Sequence, residues 1–228
     1  FKKKRENLIE EIYTICKDAL LANNRVAPKK PLTLKITAQG GVGTAQEHDF
    51  LIKHYNLDSV GWGTPFLLVP EVTNVDNNTR EQLIKAKEKD LYLSNVSPLG
   101  VPFNNLRNSS KEVEKLQKVK DGKPGSPCPR RYLAFSKEYD EKGVCTASRL
   151  YQKNKIEELG ISEEITEKVC LCMGLSAAAF VTNEIETRKS KAVSICPGPN
   201  MAYFDKLLSL EDMTRHIYGL ENFMSRAD

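Results

Sequence analysis

The stretch that decides the fold is Leu32-Thr33-Leu34-Lys35-Ile36-Thr37-Ala38, running into Gln39-Gly40-Gly41-Val42-Gly43 and then Thr44-Ala45-Gln46-Glu47. The β-branched residues and short length of the first run suit a strand. Thr44 with Glu47 three residues on has the form of a capping box, so a helix opens there. It carries Phe50, Leu51 and His54 and ends near Tyr55-Asn56. The same order returns at once. Ser59-Val60-Gly61-Trp62-Gly63 reads as a second short strand ending in glycine, and Thr64-Pro65 reads as a helix start. Strand, glycine turn and helix thus occur twice in succession, which predicts parallel strands.

Upstream, Leu8, Ile9, Ile12, Ile15, Cys16, Ala19 and Leu20 recur at helical spacing, predicting an amphipathic helix from Glu6 to about Ala22. Asn23-Asn24 ends it, and Pro28 and Pro31 keep the connection out of helix. Downstream, Thr79-Arg80-Glu81-Gln82 predicts a capped helix through about Lys89. Pro98, Gly100 and Pro102 keep Asp90–Asn108 extended or looped. Ser109-Ser110-Lys111-Glu112 opens a polar helix ending near Val119. Asp121-Gly122-Lys123-Pro124-Gly125-Ser126-Pro127 is the best linker. Two regions follow, residues 1–120 and a Cys-containing, mainly helical extension over 121–228.

A strand that ends in glycine and feeds a helix is suited to an anion. The first helical N–H groups lack internal partners, and the helix dipole favours negative charge. Glycine lets the backbone approach closely. Both turns have these parts, and ordinary strand-ending glycines are the simpler alternative. Loops after the last two strands of (β/α)₈ barrels often share a phosphate site.

Three runs carry a family resemblance. They are Ala38-Gln39-Gly40-Gly41-Val42-Gly43-Thr44, then Val60-Gly61-Trp62-Gly63-Thr64-Pro65-Phe66-Leu67 with Pro70-Glu71, and Ser97-Pro98-Leu99-Gly100-Val101-Pro102 with Leu106-Arg107-Asn108. Over residues 32 to 108 the chain resembles the nitronate monooxygenase (2-nitropropane dioxygenase-like) family. That family also holds FMN-dependent enoyl-acyl-carrier-protein reductases. The resemblance implies an α/β fold, the last two βα units of a (β/α)₈ TIM barrel. It implies an FMN oxidoreductase acting on a small-molecule substrate. Phosphate contacts would come from Gly40, Gly41, Gly63 and Thr64, with Gly43 shaping the turn. The Thr44 and Thr64 hydroxyls would either cap helices or donate to phosphate.

The family's catalytic histidine lies in a glycine-rich segment before this region, and the residues ahead of Leu32 hold neither histidine nor glycine. The catalytic residue is therefore unassigned. The first residue is Phe1, so the expectation is a portion of a longer protein, or a chain whose partner carries the N-terminal half of the barrel. His48 and His54 read as surface or core-edge residues, and His216, ahead of Gly219, as a C-terminal cap. Trp62 reads as packing.

Five of the six cysteines fall in the C-terminal half, at Cys128, Cys145, Cys170, Cys172 and Cys196. Thiolates in fours hold iron–sulfur clusters or zinc. That reading takes Cys128, Cys145, Cys196 and one of Cys170 and Cys172 as ligands. No spacing is a C-x₂-C pair, and residues two apart on a helix do not face together. Buried or redox-active thiols are the simpler alternative, and a disulfide between loop cysteines stays open. Arg130, Arg131 and Arg149 would lower the pKa of any thiol they meet, and the sequence does not say which they meet.

Length and composition bound the rest. With 228 residues, 40% hydrophobic and 28% charged, the chain can bury a core, which excludes wholesale disorder. No apolar run approaches the ~20 residues of a membrane helix. Net charge is +4, about the size of the Lys2–Arg5 cluster, and Lys alternates with Glu elsewhere. Solvated surface charge accounts for that better than nucleic-acid binding. Without a secretory signal, a reducing, cytoplasmic setting is expected. Besides the flavin enzyme, a non-catalytic thiol- or metal-binding interaction module remains a reading of a different class.

Overall fold

A computed structural model describes residues 1–185 and 191–225. The chain divides into two compact units, Phe1–Trp62 and Gly63–Asp228. The stretch 121–127, where the sequence predicts a boundary, lies within the second unit. There, Lys123 N–H donates to Lys118 O (2.8 Å) and Ser126 N–H to Ala147 O (3.1 Å), so the stretch is held at both ends.

The first unit opens with helix α1, Arg5–Ala22, which buries none of its residues. Ile9, Ile12, Tyr13 and Cys16 line a shallow apolar groove with Pro28, Pro31, Leu32 and Leu34. Strand β1 is Thr37–Gln39, much shorter than the expected 32–38. A strand needs a partner, and only its end finds one. Strand β2, Ser59–Gly61, pairs with it in parallel, with Thr37 opposite Ser59 and Gln39 opposite Gly61. Between them lies α2, Ala45–Tyr55, closed by Asn56 in the left-handed conformation at φ 51°. The parallel βα repetition read from the sequence is thus present in its first unit. In the second, Thr64–Leu68 is only a 3₁₀ turn, with Gly63 at its cap. The Lys2–Arg5 charge cluster is partly committed to this unit, since Arg5 Nη1 donates to Asn56 O at 2.9 Å.

In the second unit, α3 spans Asn77–Lys85. Its cap is Asp76, whose side chain accepts from Thr79 N–H, not Thr79 itself. The helix breaks at Ala86, four residues short of the expected end, and Glu88–Asp90 forms a 3₁₀ turn. Strands β3, Leu91–Ser94, and β4, Phe103–Leu106, form an antiparallel hairpin. Helix α4, Ser110–Lys120, is capped by Ser109 as its sequence indicates. After a long loop come α5 (Arg149–Leu159), α6 (Glu163–Thr166) and α7 (Leu171–Thr182). A 3₁₀ turn at Pro199–Tyr203 and α8, Leu210–Ile217, complete the unit. The side chains of Leu68, Leu83, Leu106, Met201, Phe204 and Met213 are fully buried. Ala177, Ala178 and Val193 form a second packed cluster. The observed class is mixed α/β, with two two-stranded sheets among the described residues. Beyond residue 120 the helices α5 to α8 alternate with long irregular stretches among the described residues. No described helix is long and apolar enough to cross a membrane.

Candidate functional site

The turn after β1 is built for a close approach. Gly40 and Gly41 have φ of +95° and +72°, and a Cβ on either would meet nothing within 4 Å. The backbone is therefore open there. At Gly43 and Thr44 two N–H groups converge on one oxygen, Glu47 Oε2, at 2.8 and 3.0 Å. Thr44 Oγ1 in turn accepts from Glu47 N–H at 3.1 Å. This capping box settles the role of Thr44, whose hydroxyl caps α2. The turn can hold an oxyanion, and its own Glu47 carboxylate is the one it holds.

The next turn behaves differently. Thr64 does not cap a helix, because its Oγ1 accepts from Gly198 N–H at 2.9 Å. The turn Cys196-Pro197-Gly198-Pro199 is thus seated on Thr64, and a Cβ on Gly198 would stand 2.4 Å from Thr64 Oγ1. No sequence spacing links positions 64 and 198. Gly63 is open, with nothing within 4 Å of a built Cβ.

Each histidine has a partner within the fold. His48 Nδ1 accepts from Trp62 Nε1 at 3.0 Å, which gives Trp62 a structural partner. His54 stacks on Phe50 with ring centres 4.8 Å apart. His216 is not exposed at the end of α8. It is 2% exposed, and its Nδ1 accepts from Phe223 N–H at 3.1 Å.

The cysteines are all in thiol form. Cys128 and Cys145 line one cavity of about 260 Å³, together with Arg131, Asp140, Gly143 and Arg149. Cys170 is the cap residue of α7 and Cys172 lies in its first turn. The helix expected after Ser162 stops at Thr166, so both residues belong to the next helix. Burial pushes the Cys145 thiol up to about 12, with smaller upward contributions from Cys128, Cys170 and Cys172. Burial also raises Cys172, and the lowering by Arg130 is the weakest of its influences. Cys196 is raised by burial as well, against a backbone hydrogen bond from Asn104. The expected lowering by arginines is therefore overturned at Cys145 and Cys172, because desolvation of a thiolate outweighs those charges. Among the described residues, no three His, Cys, Asp or Glu side chains are spaced to hold a metal ion.

A raised thiol stabilises the fold at neutral pH and stops doing so when it ionises. With its value lifted from 9.0 to about 12, Cys145 contributes fully below pH 9 and loses the contribution towards pH 12. Unfolding midpoints measured across that range should fall more steeply for the native chain than for Cys145→Ala. Parallel curves would contradict this.

No family model and no curated protein matches the chain. Among solved structures it is similar to FabK from Thermotoga maritima, at 14% identity and a TM-score of 0.43, over 83% of this chain and 46% of that one. It is also similar to the enoyl reductase domain of MlnA from the macrolactin biosynthesis cluster of Bacillus amyloliquefaciens. There the identity is 14% and the TM-score 0.38, over 94% of this chain and 51% of that one. The chain spans about half the length of these structures. At this degree of likeness neither overlap decides an activity.

Proposed function

We propose that the turn Gly40–Thr44 holds the phosphate of FMN, in a flavin oxidoreductase similar to the nitronate monooxygenases. The observation that supports it is the convergence of Gly43 and Thr44 N–H on a single carboxylate oxygen, beside two glycines with open, left-handed backbone. Phosphate would take the place of the Glu47 carboxylate, drawn by the α2 dipole. Gly63 and Thr64 lie in the other compact unit, and their share in the phosphate rests on the family resemblance alone. Flavin, when bound, supplies the electron chemistry, and the chain supplies binding and orientation. No base is assigned within this chain, and a further segment or partner chain would contribute it.

Titration with FMN and riboflavin, in this chain and in any longer natural form, tests the reading. FMN should bind more tightly than riboflavin. Gly41→Val, strained at positive φ by about 1–2 kcal/mol, should weaken FMN selectively. Glu47→Gln should tighten it, since no carboxylate then competes for the same amides. Equal binding of the two flavins, or no flavin binding in either form, would sink the proposal. The second reading, a thiol- or metal-binding interaction module, is favoured by Cys128 and Cys145 lining one cavity.

A further inference from the structure

The cavity of about 260 Å³ at the start of α5 joins two stretches that are apart in sequence. Ser126 N–H donates to Ala147 O at 3.1 Å, and Arg149 N–H donates to Ser126 O at 3.0 Å. Cys128 therefore follows closely on the point where Arg149, the first residue of α5, is tied down. Cys128, Cys145, Arg131, Asp140 and Arg149 all line the space. Of the two thiols, Cys145 is buried and Cys128 is partly exposed, so solutes reach Cys128. Of the three charges, two match one another. Arg131 Nη2 lies 3.6 Å from Asp140 Oδ2 and also donates to Gly143 O at 2.6 Å. Arg149 has no ion pair among the described residues. The cavity thus carries one unmatched positive charge, at the positive end of the α5 dipole. A thiol open to solutes beside an unmatched cation is placed to meet a small anion.

We propose that Cys128 is a thiol–disulfide exchange site for a small carboxylate-bearing disulfide, whose carboxylate the Arg149 guanidinium holds. The Cys128 thiol gives its proton to solvent, and the thiolate attacks one sulfur of the incoming disulfide. A new S–S bond forms on Cys128 as the old one breaks. The other half leaves as a thiolate and takes a proton back from solvent. The incoming disulfide is the oxidant, so the step needs no further co-reactant. At about 260 Å³ the cavity falls below the range of about 300–1,000 Å³ usual for drug-sized ligands, so it admits one half of a small disulfide. Cys145 does not take the role of Cys128, because it is buried and the thiolate is the reactive form. Cys16 lies in the other compact unit, and Cys196 is not part of the cavity wall. The proposal holds whether or not the chain binds flavin.

The test uses the reduced full chain carrying Cys16→Ser and Cys196→Ser, which removes the two exposed thiols. It is reacted with dithiodiglycolate, an anionic disulfide, and with cystamine, a cationic one. Each rate is divided by that of 2-mercaptoethanol with the same disulfide, which cancels intrinsic reactivity. Peptide mapping should find the adduct on Cys128. The relative rate should favour dithiodiglycolate by about tenfold, the effect of one nearby charge on ligands of opposite sign. Arg149→Gln should bring the preference within about twofold while Cys128 still reacts. In the unaltered site, salt at about 1 M should do the same, because it screens an exposed charge beyond about 3 Å. Far-ultraviolet circular dichroism of each variant separates loss of the site from loss of fold. Equal relative rates for the two disulfides overturn the proposal. So does a preference that survives Arg149→Gln or the salt. An adduct on another cysteine, or an internal disulfide between Cys128 and Cys145 in place of the adduct, also overturns it.

Discussion

Gly143→Ala should lose about 2–5 kcal/mol of stability, from backbone strain and steric overlap together. Gly143 sits at φ +82°, and a Cβ there would stand 2.2 Å from Ala134 O. That neighbour is backbone, and it has little room to yield. Ala134 N–H is bonded to Arg131 O at 3.2 Å. Two residues on, Ser136 and Val144 exchange both backbone hydrogen bonds, at 3.1 and 2.7 Å. Arg131 Nη2 meanwhile donates to Gly143 O at 2.6 Å. Gly122→Ala is the control, with φ +65° but nothing within 4 Å of its Cβ. It should cost only the strain, about 1–2 kcal/mol. Urea midpoints compare the two directly, and equal costs would refute the steric account. The buried Cys145 thiol, two residues away, should also react faster with a thiol reagent in Gly143→Ala.

Phe204→Ala should cost about 3–5 kcal/mol, the range for emptying a well-packed aromatic site. Phe204 is 1% exposed, and its ring meets His216 edge-on with centres 5.5 Å apart. His216 is itself buried and bonded to Phe223 N–H, so the cavity cannot close by moving the histidine alone. Phe204 also follows directly on the 3₁₀ turn whose cap, Gly198, donates to Thr64. The loss should therefore loosen that contact as well. Phe135→Ala, at a residue 68% exposed, should change stability by no more than about 0.5 kcal/mol. Denaturant unfolding of the two variants checks the contrast, and similar midpoints would remove Phe204 from the core.

The local signals were legible in the residues themselves. Thr44 with Glu47 specified a capping box that involves only neighbours in sequence, and the same holds for Ser109 at the start of α4. Strand, glycine turn and helix in succession pointed to parallel pairing, because a helix running back along the sheet returns the chain to the end where the first strand began. What needs a distant partner was not legible. β1 begins at Thr37 and not Leu32, because a strand ends where its ladder partner ends. Asp76 won the cap of α3 over Thr79 through its reach to a backbone N–H.

At the candidate sites the same division holds. The sequence by itself determined the open glycines after β1 and the enrichment of thiols in the C-terminal half. Only the tertiary structure decided that Thr64 answers to Gly198, 134 positions away, and that Cys128 and Cys145 line one cavity. Local hydrogen bonds are written in the order of residues. Long-range contacts and desolvation depend on which surfaces the folded chain brings together, and spacing along the chain does not encode that.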